Sequence, residues 1–299
     1  MSLRVWEAPE GRGLRRTGAA GSPTSRGLLP AIAHPMSLVT SSAILLRSHP
    51  YSDSSRILRF FTRERGIVSL VGKGVRTRTS KGEAALETFA EGVLTFSHRS
   101  DRDLHTLRDF ERTSGSLALG TELPRFLGAS LLAELLLAHA LEEGDPPLYD
   151  WIRVVLERLG AASTAEVPGW ILAGAWRALG HLGFSPDLAR CIGCGRDLDW
   201  GAVDGTNATV FYRLDAVAGG IRCPDCSSGS GLPKIGPRAH LDLLRLLGGD
   251  VPAPLRGLRG HLRFLEAFCT HHLAPRRPFR SFGMLLPLLG AVGWSEDTE

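Results

Sequence analysis

The sequence predicts an α+β fold: a small five-stranded β-barrel first, then an all-helical domain carrying a four-cysteine module. Three observations carry that prediction. Short β-rich runs fill residues 38 to 110, apolar segments with helical spacing follow Thr113, and two C-x2-C pairs lie near residue 200. At 299 residues the chain exceeds the roughly 250 residues at which single cores split, so two domains are expected. A content of 43% hydrophobic and 22% charged residues excludes disordered and fibrous classes.

The first 35 residues are rich in Gly, Pro and Arg. Arg15-Arg16 ahead of "GLLPAIA" imitates a twin-arginine export signal, but the apolar core is short and Pro30 breaks it. Residues 1–35 are therefore expected to be a disordered extension, with the first domain opening at Met36. The strands come next: "SAILLRS", "SSRILRFFT", "GIVSLVG", "EGVLTFS" and "LHTLRDF", separated by "HPYSDSS", "RERG" and a Gly-Arg loop. Five strands in so short a span suit a closed barrel, because closure removes exposed edges. An oligonucleotide/oligosaccharide-binding (OB) barrel over residues 36–113 is the architecture that fits.

From residue 114 to 299 the texture is helical. "FLGASLLAELLLAHALEE" is nearly all apolar and stops at Gly144-Asp145-Pro146-Pro147. At 16 residues its apolar stretch, interrupted by Glu134 and His139, is shorter than the roughly 20 a membrane span needs, so it reads as a buried helix. "LYDWIRVVLERLG" repeats Trp151, Val155 and Leu159, with Gly160 as the expected cap, and "VPGWILAGAWRALGHLG" repeats Trp170 and Trp176; the tryptophans read as core. Residues 187 to 232 read as irregular, after which "HLDLLRLLGG", "LRGLRGHLRFLEAFCTHHL" and "RRPFRSFGMLLPLL" return to helix.

Four of the five cysteines fall in that irregular stretch, as Cys191-Ile192-Gly193-Cys194 and Cys223-Pro224-Asp225-Cys226, separated by 28 residues. Each knuckle aims two thiolates at one ion, so the pair completes a tetrahedral site in an inserted module at about 188–230. One structural Zn2+ is the expected cofactor, since four protein ligands leave no position for substrate. Iron in the same cage, two disulfides, a redox dithiol and unliganded thiols are the competing readings; disulfides are disfavoured without an export signal. Cys269, beside His271 and His272 in an apolar helix, reads as a buried thiol.

The net charge of +4 is mild, but its distribution is not. Residues 56 to 81 hold eight cations (Arg56, Arg59, Arg63, Arg65, Lys73, Arg76, Arg78, Lys81) against the single anion Glu64. Within them "VGKGVRTRTSK" invites a phosphate-loop reading, which fails because five residues rather than four separate Gly66 from Gly72 and Gly74 replaces the magnesium-binding Ser or Thr. The alternation of Asp101, Asp103 and Asp109 with Arg99, Arg102 and Arg108 reads as a mixed-charge surface rather than a nuclease centre. What remains is binding: a cationic groove tracking phosphates, with Phe60 and Phe61 weighed as stacking rings against core residues.

The order of β-barrel, "GIVSLVGKGVRTRTSK", helical domain and a cysteine module led by "LGFSPDLARCIGCG" resembles the RecO family of bacterial recombination and repair proteins, from about Met36 to Leu289. "HLRFLEAFCTHHLAPRRPFRS" is similar to that family's closing helix and basic continuation. The resemblance implies a non-enzymatic, cytoplasmic, nucleoid-associated mediator. Such a protein binds single- and double-stranded DNA, anneals strands, and works with RecR, and in many bacteria RecF, to load RecA onto DNA covered by single-stranded DNA-binding protein. Arg56, Lys73, Arg76, Arg78 and Lys81 are the expected phosphate ligands on the barrel, joined by Arg276, Arg277 and Arg280. The alternative is a protein-interaction adaptor with little affinity for DNA. The family-unlike features are the 35-residue extension and several Arg where relatives often carry Lys.

Overall fold

The computed structural model describes residues 37–73, 86–115, 117–139, 143–200, 210–273 and 278–291. The expected extension at 1–35 lies outside them. Five strands, β1 (Ser37–Pro50), β2 (Arg56–Thr62), β3 (Gly66–Gly72), β4 (Ala90–His98) and β5 (Leu104–Gly115), close into a barrel in the order β1-β2-β3-β5-β4. β1 pairs antiparallel with both β2 and β4, and closure is completed by a short parallel contact of β3 with β5. This is the five-stranded arrangement of an OB barrel.

The continuous apolar run Ala43-Ile44-Leu45-Leu46 explains how the barrel meets the helices. Ala43 and Leu45 join Leu58, Phe60, Val68, Leu70, Leu94 and Phe96 inside the barrel. Ile44 and Leu46 point the other way, into the apolar cluster of the helical body. A register shift between Leu45 and Arg47 marks the bulge beside them. Phe61 leaves β2 on the same outer side and meets Tyr149 at a ring separation of 5.6 Å.

The helical body comprises α1 (Leu123–His139), α2 (Pro146–Ala161), α3 (Val167–His181), α4 (Pro237–Gly248), α5 (Leu258–His272) and α6 (Arg280–Ala291). Residues read as a helix stop also start the next helix: Asp145 accepts from the Leu148 N–H at 2.9 Å and Pro146 opens α2. Gly160, expected as a cap, lies inside α2, which runs on to Ala161 and ends at an extended Ala162. Trp176 is buried between Phe264 and Phe268, and the indole of Trp151 donates to the Gly174 carbonyl while Arg177 lies over its ring at 4.5 Å. No helix among the described residues is long and apolar enough to cross a membrane.

The stretch read as irregular is instead a small sheet. β6 (Asp187–Cys191), β7 (Tyr212–Asp215), β8 (Gly220–Arg222) and β9 (Lys234–Ile235) pair in the order β6-β8-β7-β9. Strands of two to five residues leave too little alternation for a period to show in the sequence. Leu188, Tyr212, Leu214, Ile221 and Ile235 bury into the same apolar cluster as the helices, so the module is built into the body.

Candidate nucleic-acid interface and metal centre

Cross-strand register sorts the outer face of β1-β2-β3 into rows. Ile44, Phe61 and Ile67 form a row that belongs to the seam with the helical body. The next outward row is Arg47 opposite Arg59, with Ser69 opposite Arg59 on β3. Beyond it comes His49 opposite Ile57, with Val71 opposite Ile57. Arg47 is exposed and Arg59 half-buried, and desolvation, then the charge of Arg47, lowers the Arg59 pKa. The Nε of Arg59 is shielded from solvent and has no hydrogen-bond partner among the described residues.

The expected phosphate ligands fall in different places. Arg56 opens β2, where its Nε donates to Ser48 Oγ at 2.7 Å. By strand alternation it shares the barrel-interior side with Leu58 and Phe60, not the outer side with Arg59. Lys73 is exposed, one residue past the end of β3. Arg76, Arg78, Lys81, Arg276 and Arg277 lie outside the described residues. Arg280 is exposed at the first position of α6, on the helical body; that helix start is held by Glu134 of α1, which accepts from the Ser281 N–H at 3.2 Å. This contact explains an acidic side chain within the apolar run of α1 from Leu131 to Leu137.

Neither weighed phenylalanine is free to stack on a base. Phe60 is inside the barrel, 5.1 Å from the Phe110 ring, and Phe61 is in the seam. Among the described residues of the barrel the exposed large ring is Tyr51, 61% accessible in the loop between β1 and β2, while Phe126 and Phe211 are exposed elsewhere. His98 and His105, with ring centroids 4.6 Å apart, flank the loop between β4 and β5. The sequence carried a signal for Arg59 alone: in "RILRFFT" successive residues alternate faces, so the burial of Phe60 inside the barrel sends Arg59 outward. Asp101 is paired with Arg99 at 3.2 Å, and Arg108 donates to Ser97, as a mixed-charge surface requires.

The metal centre is more completely defined. The Sγ atoms of Cys191, Cys194, Cys223 and Cys226 all lie within 4.8 Å of one another, with Cys194 and Cys223 3.9 Å apart. A tetrahedral ion with metal–sulfur distances of about 2.3 Å needs sulfurs about 3.8 Å apart, so the donor set fits. Cys191 closes β6 and pairs with Ile221 of β8, which brings the first knuckle beside the second. Gly195 (φ 73°) takes the left-handed turn and donates to the Cys191 carbonyl at 2.8 Å, a conformation that favours glycine. In the second knuckle Ser227 Oγ donates to the Cys223 carbonyl at 2.8 Å.

The thiols do not titrate alike: hydrogen bonds shared with the other cysteines push Cys226 up to about 12, whereas Cys191 is brought down. The Cys223 N–H donates to Cys191 Sγ at 3.2 Å; burial pushes the Cys191 thiol up, but backbone N–H donors bring it down to about 6. Arg196 and Arg222 stand beside the cluster, held by Asp225 at 3.3 Å and Asp215 at 2.7 Å. All five cysteines are unbridged. Cys269 is buried in α5 and pushed up to about 12 by burial, as expected of a packed thiol. Among the described residues the four cysteines are the one group of three or more candidate ligands close enough to share an ion.

Comparison with known proteins agrees with this architecture. Residues 36–115 match the family described as "Recombination protein O N terminal", and residues 120–281 match "Recombination protein O C terminal". The DNA repair protein RecO of Anaeromyxobacter dehalogenans (strain 2CP-C) is 32% identical over 266 residues, covering 85% of this chain and all of the relative. That of Nocardioides sp. is 29% identical, covering 79% of this chain and 95% of the relative. The RecO of Rubrobacter xylanophilus is 33% identical over 64% of this chain and 73% of its own. With both family regions matched in order and the first two of these relatives aligned along nearly their whole lengths, the chain belongs to the RecO family of DNA repair proteins.

Proposed function

We propose that this RecO-family protein, a non-enzymatic participant in recombinational repair, binds single- and double-stranded DNA on its barrel and anneals complementary strands. It would act in the cytoplasm at the nucleoid, with RecR and, where present, RecF, to help RecA load onto DNA covered by single-stranded DNA-binding protein. The observation that carries the reading is a closed barrel of OB strand order whose outer face, uncovered by the other described residues, presents Arg47 and Arg59, with β3 leading to Lys73 and the basic sequence that continues to Lys81 (the arm). Neutralising phosphates lets two strands approach while their base edges stay free to pair. Exposed Tyr51 supplies a ring on which a base can stack. The working division is a barrel at 36–113 and a helical domain at 114–299 with the module at 188–230, in which one structural Zn2+ is held by Cys191, Cys194, Cys223 and Cys226.

Arg56, Lys73, Arg76, Arg78 and Lys81 hold phosphates in this reading, with Arg276, Arg277 and Arg280 as a second basic segment. Replacing Lys73, Arg76 and Arg78 together with Ala weakens binding to all sequences alike, and the salt slope flattens by roughly 0.7 per single-strand phosphate released. An unchanged slope removes the arm from the interface. The adaptor reading draws on α4, where exposed Leu241 and Leu244 stand beside exposed Arg238 and Arg245. It predicts partner binding without salt-sensitive retention of DNA.

A further inference from the structure

We propose that Arg47 and Arg59 form a phosphate seat on the outer face of β1 and β2, one that holds a single backbone phosphate of a nucleic-acid strand. It rests on the DNA-binding reading above and locates a contact away from the arm. The argument begins with a cost. Arg47 stands directly opposite Arg59 across the antiparallel pair, and like charges so placed repel. Several other arginines have a carboxylate partner (Arg63 with Asp150, Arg99 with Asp101, Arg125 with Glu122, Arg222 with Asp215), and Arg56, Arg108 and Arg177 bond hydroxyls or carbonyls instead. No carboxylate reaches Arg47 or Arg59 within ion-pair distance among the described residues.

The surroundings give the missing group its chemistry. The row lies one step from the apolar seam of Ile44, Phe61 and Ile67, so Arg59 is partly desolvated and its Nε–H is shielded without an acceptor. A phosphate taken by the Nη–H groups of Arg59 together with Arg47 offsets that cost, and adding Nε–H to the contact in bidentate form requires the Arg59 side chain to turn outward. Burial and the neighbouring charge both disfavour the isolated Arg59 cation, and a bound phosphate relieves both. Ser69, opposite Arg59 on β3, places a hydroxyl donor on the same row. Arg47 supplies the second cation from the exposed side, where a strand can approach.

The test uses the full chain with fluorescein-labelled oligo(dT) and a labelled duplex, read by anisotropy across salt, together with thermal melting of each variant. Arg47→Gln and Arg59→Gln should each weaken binding about tenfold, the scale of one charge-assisted contact, and the double variant should cost less than the product because both contacts serve one phosphate. Arg47→Glu is the decisive variant: it gives Arg59 a carboxylate across the strand, so melting should rise while affinity falls. Loss of binding that tracks a lower melting temperature in every variant would reduce the pair to a structural role and overturn the proposal. Unchanged affinity in the Arg47 and Arg59 variants, with the Lys73, Arg76 and Arg78 variant still impaired, would overturn the seat while leaving the barrel as the DNA site. Wild-type protein without salt-sensitive DNA binding would overturn both readings together.

Discussion

Two adjacent phenylalanines show what one position in a strand decides. Phe60 and Phe61 are chemically identical, yet alternation sends one into the barrel and the other into the seam with Tyr149. The same alternation exposes Arg59, and it was legible in "RILRFFT" once Phe60 is taken as core. The cross-strand pairing with Arg47 was not, because the register depends on a bulge in β1 that no local residue announces. A second residue reports on stability. His261 at the start of α5 is buried, and desolvation pushes its imidazole from the ordinary 6.5 down to about 4 against a smaller raising effect of the Arg256 backbone, which comes near the ring without meeting either nitrogen in good hydrogen-bond geometry. Between those values the unfolded chain binds a proton that the folded chain refuses. The contribution is therefore complete above pH 6.5 and drains away as pH falls toward 4. Between pH 6.5 and 5 the loss is about 2 kcal/mol from this ring alone, at 1.36 kcal/mol per pH unit. Urea unfolding at the two pH values should show that loss shrinking by the same amount in His261→Leu; an identical loss in both proteins would exclude this ring as its source.

At the scale of elements, the helices with long apolar periods and the two cysteine knuckles were readable, whereas the four short strands of the module were not. Their hydrophobic residues alternate over too few positions, and the parallel pairing of β6 with β8 joins segments far apart in sequence. The knuckles were visible because a metal site constrains spacing directly. That the module is part of the body has an energetic consequence. Cys191 and Cys223 lie in the apolar cluster shared with Trp176, Phe264 and Phe268, while the barrel interior forms a separate cluster. His240 of α4 reinforces the tie by bonding to the Leu188 carbonyl at 2.9 Å and stacking on Trp200. Stripping the metal with a chelator should therefore lower the melting temperature of the helical body and leave oligo(dT) affinity nearly unchanged at temperatures where the protein remains folded. Stripped, folded protein that has lost all DNA binding would show that the module takes part in the interface.

Among the described residues, the helical body covers one end of the barrel's outer face and leaves the rows beyond it uncovered. That division could not be read from the basic composition of residues 56 to 81, which placed Arg56 and Arg59 in one cluster although they occupy opposite sides of β2. The central claim is that strand annealing is performed by the barrel's cationic outer face with its arm. The most direct measurement is the annealing rate of complementary oligonucleotides from roughly 50 to 200 mM salt, comparing the wild-type chain with one carrying Arg47→Gln and Arg59→Gln together with Ala at Lys73, Arg76 and Arg78. The account predicts wild-type annealing that falls steeply with salt and a variant that melts normally but anneals at the protein-free rate. A normally folded variant that anneals at the wild-type rate at every salt concentration would contradict it.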